Sequence, residues 1–205
     1  MKQNREYRNC QEFRGDDGAE AIAVTGYATT FDKPSTLYDC DGLEVREVID
    51  SHAFDKCDMS DVIFQYNHEG RVFARTKNGT LSLKADEHGL HVRADLSGTE
   101  IGRQLYDEIR GGYTDKMSFG FVVSDEKRNN EVIDGKTIIT RRITGIGKLY
   151  DVSAVSLPAN DSTSISARSF CDGVIAELEA ERLKAQEIEK AKMQLKLKIK
   201  LEGLK

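Results

Sequence analysis

The sequence predicts a mainly β fold of the α+β class: a small, largely antiparallel β-barrel or rolled sheet with one core helix and a C-terminal helical tail. Three observations carry this. Lys116 to Val123 alternates strictly, with Met117, Phe119, Phe121 and Val123 on one side and Ser118, Gly120 and Val122 on the other, the period of a buried strand. Asn78-Gly79 and Asp134-Gly135 are strong hairpin signals, because a type I′ turn needs positive φ at both central positions. Only one core segment repeats at helical spacing, through Ile101, Leu105 and Ile109.

In chain order, residues 1–18 are charged and read as a flexible N-terminus. Residues 19–160 hold the folded domain. Ala21 to Tyr27 is expected as a first strand, Thr29 to Gly42 as a polar loop around Pro34, and Leu43 to Ile49 as a second strand. Asp50 to Phe54 reads as a capped turn. Val62 to His68 is the third strand, with His68 on the face of Val62, Phe64 and Tyr66. A meander follows through Leu81–Ala85 and Leu90–Leu96. Ser97 to Glu100 fits a capping box that opens the helix, and Gly111-Gly112 closes it. The Ser118 strand, a hairpin at Asp134-Gly135 and a strand from Ile146 to Leu157 complete the domain.

Residues 161–170 are small and polar and read as a linker. Residues 171–205 read as a helical tail, with Val174, Leu178, Ala185, Ile188, Leu195 and Ile199 near coiled-coil spacing. Acids dominate the first half of this tail and lysines the second, an order suited to a helix dipole or to self-pairing. Met193 to Leu201 alternates instead, so helix and strand both remain open there.

The net charge of the 205 residues is −5, and no basic face stands out before the tail, which argues against nucleic acid as the main partner. The four cysteines, Cys10, Cys40, Cys57 and Cys171, are irregularly spaced, which suits a reducing compartment better than a disulfide framework or zinc site. Met1 to Glu6 is polar and leads into no apolar stretch, so no signal peptide is expected. No apolar run has the length of a membrane span. The expectation is a soluble intracellular protein with no cofactor and no metal.

Three polar residues stand on predicted strands. Ser118 lies beside Gly120, His68 ends one strand, and Asp151 sits with Ser153 and Val155 in the apolar run from Ile146 to Leu157. A serine hydroxyl is a poor nucleophile until a neutral imidazole removes its proton, a help worth about 10²–10⁴-fold. A carboxylate on the other ring nitrogen fixes the tautomer and stabilises the imidazolium. Each residue also has a plainer reading, as a hydroxyl bonded to a nearby carbonyl, a satisfied core histidine or a paired buried aspartate. The residues alone leave both readings open.

Spaced blocks add to this. Asn67-His68 followed by Ala74-Arg75, then Met117-Ser118-Phe119-Gly120-Phe121, then Leu149 to Asn160 resemble, in the same order, the prohead proteases of tailed bacteriophages. Those are similar in fold to the herpesvirus capsid-maturation proteases. The resemblance covers about Ala21 to Asn160 and implies a serine endopeptidase that processes capsid precursor, scaffold protein and possibly itself inside the assembling prohead in the host cytoplasm. It assigns Ser118 as nucleophile, His68 as general base and Asp151 as the acid that orients the histidine. Glutamate is the more frequent residue in that third place. It also suggests a homo-oligomer, most simply a dimer, activated on assembly.

Main-chain amides are the default oxyanion donors, with the Arg141-Arg142 pair a weak candidate for positioning them. Three rivals stand beside this reading. One is a non-catalytic capsid-scaffolding module using the same fold and tail. The second is a metallohydrolase on His88-x-x-His91 with Glu87, and the third a cysteine hydrolase on Cys57 or Cys40.

Overall fold

A computed structural model of the chain describes residues 5–10, 13–15, 22–40, 42–156, 173–178, 180, 183–184 and 186–193. It divides into two compact units, Met1–Ala167 and Arg168–Lys205. In the second unit, the described residues between 173 and 193 are helical. The expected linker, the end of the predicted strand after Ser156 and the ambiguous stretch after Met193 lie outside the described residues.

The first unit is mainly β. Its organising feature is one long hairpin, β10 (Lys116–Ile133) and β11 (Lys136–Val155). Asp134 (φ 51°) and Gly135 (φ 80°) close it, as the positive-φ demand of a type I′ turn predicts. The register slips at several points between Gly120 and Glu126. Such bulges bend and twist a strand pair. The near half of the hairpin therefore carries the site, while the far half supports another part of the sheet.

On the near half, β1 (Glu6–Cys10) pairs antiparallel with β10, and β6 (Ile63–Tyr66) pairs parallel with β11. On the far half, β5 (Leu43–Ile49) runs parallel to Thr137–Ile143 of β11. The strands β4 (Ser35–Cys40) and β7 (Glu69–Arg75) flank β5 and β6. Together these make a seven-stranded mixed sheet. A four-stranded antiparallel sheet, in the order β2 (Phe13–Gly15), β3 (Ala23–Thr30), β9 (Gly89–Asp95) and β8 (Leu81–Ala85), supplies the second layer.

The core lies between the layers. Phe64, Met117, Phe119, Phe121, Val152 and Ala154 from the large sheet meet Val24, Leu90, Val92 and Ala94 from the small one. Leu105 and Ile109 of the helix α1 (Glu100–Arg110) join the same cluster. Phe119 and Phe121 stack with ring centroids 4.7 Å apart. Thus the apolar half of the Lys116–Val123 alternation does face the core, and Ser118 and Gly120 lie on the other face of the sheet.

Several expectations are corrected. Among the described residues the sheets do not close into a barrel, and β11 pairs in parallel with both β5 and β6. Local turn signals favour antiparallel hairpins and carry no information about such distant partners. The stretch before residue 19, expected to be flexible, contributes β1 and β2. The loop expected around Pro34 contains β4. Asn78-Gly79 makes no hairpin, because Thr76–Asn78 is a 3₁₀ turn ending at a left-handed Gly79 and its flanking strands pair elsewhere. The helix starts two residues later than its expected cap, with Thr99 Oγ1 accepting from Gly102 N at 3.0 Å.

Candidate active site

The near half of the hairpin lines up two rows of residues across four strands. One row runs Tyr7, Gly120, Asp151, Ile63, and the next runs Asn9, Ser118, Ser153, Gln65. Residues directly opposed in neighbouring strands share a face, with Cβ atoms about 4.5–5.5 Å apart. Ser118 is therefore the cross-strand neighbour of Ser153 and diagonal to Asp151. All three are buried, each at most 1 % exposed.

His68 reaches this face from a place the sequence did not indicate. It belongs to no strand. Asn67 (φ 51°) and His68 (φ 60°) form a left-handed turn joining β6 to β7, a conformation rare for residues other than Gly, Asn and Asp. Asn67 is locked by Ser156, whose backbone N–H donates to its Oδ1 at 3.1 Å, and its own N–H donates to Ala154 O at 2.9 Å. The turn delivers the imidazole over the sheet: His68 Nδ1 hydrogen-bonds Asp151 Oδ1. The side chain of His68 is 19 % exposed and that of Asp151 1 %. With Nδ1–H donating to the carboxylate, Nε2 is the nitrogen left to accept a proton.

Asp151 has two further partners. Ser153 Oγ donates to Oδ1 at 3.1 Å. Arg5 Nη2 pairs with Oδ2. The Arg5 guanidinium lies 4.4 Å from the Tyr150 ring centre and 5.4 Å from that of Tyr7, and Tyr7 meets His68 edge-on with centroids 4.5 Å apart. Gly120 makes this crowding possible. A Cβ there would lie 2.6 Å from Asp151 Oδ2, 2.8 Å from Tyr7 Cε1 and 2.9 Å from Arg5 Nε. Its lack of a side chain admits the side chains of Asp151, Tyr7 and Arg5.

Of the three candidates, His68 and Asp151 are in direct contact, and Ser118 shares their sheet face one row along. Arg5, Tyr7 and Ser153 were missed. The signal available for them was Gly120 itself, since a glycine inside a strand marks a place that something else fills.

The other candidates lie elsewhere. Arg141 is buried between Glu6, Glu47 and Glu126, with contacts of 2.7–3.0 Å to the first two and 2.7 Å to Glu126. Arg142 pairs with Asp32 and Asp50. Both belong to the far half of the hairpin, beside β5, so neither positions an oxyanion at Ser118. His88 and His91 flank Tyr27, with centroids at 4.6 and 5.3 Å, and His91 Nε2 bonds Thr25 Oγ1 at 2.8 Å. Among the described residues no group of three or more His, Cys, Asp or Glu side chains converges as a metal site. Burial pushes the Cys57 thiol up to about 11, which disfavours the thiolate a cysteine nucleophile requires. Cys40 is exposed at the end of β4.

Residues 10–173 match the family described as caudovirus prohead serine protease, and the chain belongs to that family. Over 95 residues it is 34 % identical to the prohead protease of Enterobacteria phage HK97. That match takes in 45 % of this chain and 39 % of the relative, so the chain spans about two fifths of the relative's length. No solved structure matches. Among the described residues, no helix is long and apolar enough to cross a membrane.

Proposed function

We propose that this chain is a serine endopeptidase of prohead maturation, with Ser118 as nucleophile, His68 as general base and Asp151 as the acid that orients it. The observation that carries the reading is the Asp151 carboxylate bonded to His68 Nδ1 on the sheet face that also holds Ser118. Ser118 Oγ attacks a peptide carbonyl carbon while His68 Nε2 takes its proton. The imidazolium, stabilised by Asp151, then protonates the leaving amine. Water repeats the sequence on the acyl-enzyme, and the serine returns with its proton. Main-chain amides supply the oxyanion contacts.

The substrates under this reading are capsid precursor, scaffold protein and the protease itself. The site of action is the interior of the assembling prohead in the host cytoplasm. Ser118 is 1 % exposed, which supports an enzyme opened by dimerisation or assembly. The tail, residues 171–205, acts as an address that docks the protease to its partner by helix pairing, and cleavage in Ala159 to Phe170 releases it.

The rival is a scaffolding module that keeps the fold without catalysis. Labelling with a fluorophosphonate separates the two. The expected adduct is on Ser118 of the wild type and is lost in His68→Ala. Absence of any adduct on assembled, wild-type material contradicts the enzymatic reading.

A further inference from the structure

We propose that Arg5, seated with Tyr7, is a positioning residue: its permanent positive charge compensates the buried Asp151 carboxylate, so that His68 stays neutral and able to act as base. The inference rests on the roles proposed above for Ser118, His68 and Asp151. It goes beyond the family match, which begins at residue 10, whereas Arg5 and Tyr7 precede it.

Asp151 is 1 % exposed, and its other partners, Ser153 and a neutral His68, carry no charge. A buried carboxylate is stable only when a positive charge or protonation offsets it. Without a permanent cation the nearest remedy is a proton on His68, which would already occupy the nitrogen a general base must offer. Arg5 removes that need. Its guanidinium stays protonated at any working pH and takes Oδ2, while His68 and Ser153 share Oδ1. The Tyr150 and Tyr7 rings hold the guanidinium, and the edge of Tyr7 against His68 fixes the imidazole.

The seat is built from both sides. Gly120 provides the space. The alternate residues of β1, Glu6 and Arg8, are held on the opposite face by Arg141 and Glu47. Arg5 and Tyr7 are thereby fixed in register over the site.

Among the described residues, Asp151 and Tyr7 contact the His68 ring, Arg5 lies against Asp151, Tyr7 and Tyr150, Lys148 stands 5.5 Å from the Tyr150 ring centre, Tyr66 ends β6 just before the turn, and the exposed Glu69 follows His68 in the chain. Lys148 is engaged by Asp58 at 2.9 Å. Among the described residues, Arg5 is the cation in contact with Asp151.

The test is a titration of the His68 ring by NMR in a Ser118→Ala background, which needs no protease activity. Arg5→Met should raise the midpoint of His68 protonation by about one pH unit, and Arg5→Lys should restore most of the parent value. In the active protein, Arg5→Met should move the acid limb of the kcat/KM profile upward by the same amount, with recovery at higher pH. Should Arg5→Met fail to fold, Arg5→Gln carries the same expectation. An unchanged midpoint in either charge-free variant, with a native amide spectrum, overturns the inference and leaves the protease reading standing. Loss of the protease reading would show instead as cleavage persisting in Ser118→Ala, with the titration shift intact.

Discussion

Strand β1 and Arg5, the residue before it, take part in two partly buried ionic clusters, one on each face of the strand, and they do opposite things. On one face Glu6 and Arg8 join Glu47, Glu126 and Arg141 in a network of carboxylates and guanidiniums. On the other, Arg5 meets Asp151, whose remaining partners include a histidine. The first cluster ties together β1, β5, β10 and β11 and contains no histidine. The second has the same pairing of carboxylate and guanidinium but adds a histidine, the side-chain type suited to exchanging a proton. Buried ion pairs are poor evidence of function by themselves. Here the titratable partner, and a hydroxyl one row away, set the second cluster apart.

The largest effect expected from breaking this contrast is on the catalytic side. His68→Ala should reduce cleavage by at least about 10⁴-fold, while Asp151→Asn should be milder, because the orienting acid is commonly the least costly member to lose. Initial rates on one peptide substrate across the two variants check the order. Equal losses would place more of the chemistry on Asp151 than orientation explains. Because the base must be neutral, wild-type activity should fall toward acid pH.

A smaller effect is expected on the structural side. Burial raises the Glu6 carboxyl, but hydrogen bonds and charges from Arg141 and Arg8 outweigh it and hold the group below its ordinary value. A carboxylate depressed in the folded state contributes stability that is fully present above its unfolded value, about 4.3. That contribution disappears as pH falls through the lower folded value. Glu6→Gln should therefore cost about 2 kcal/mol at pH 7, and the deficit relative to wild type should shrink below about pH 4. Urea midpoints at pH 7 and pH 3.5 measure this. A deficit independent of pH would remove the ionic account of how β1 is held.

The two clusters also differ in how far they could be read in advance. The Ser118 strand, the Asp134-Gly135 turn and the α1 stripe were legible because apolar periodicity and turn chemistry are local signals. Asp151 was legible as a buried acid in need of a partner. Strand β1 was not, because Glu6-Tyr7-Arg8 has no apolar face and is held by ion pairs whose partners lie up to 135 residues away. His68 was recognised as a residue but misplaced on a strand, since alternation cannot reveal a left-handed turn at Asn67-His68. The parallel pairing of β11 with β5 and β6 was out of reach for the same reason as β1: it is decided by tertiary contacts, not by neighbours in sequence.

The central claim is that Ser118 is the nucleophile of a capsid-processing protease. It is tested most directly by co-expressing the chain with a phage capsid precursor and weighing the products by intact mass. Wild type should yield truncated precursor, and Ser118→Ala should leave it full length while remaining folded, since the change removes one hydroxyl and about 1 kcal/mol of stability. Truncation at the same positions and rate in the Ser118→Ala protein would contradict the account.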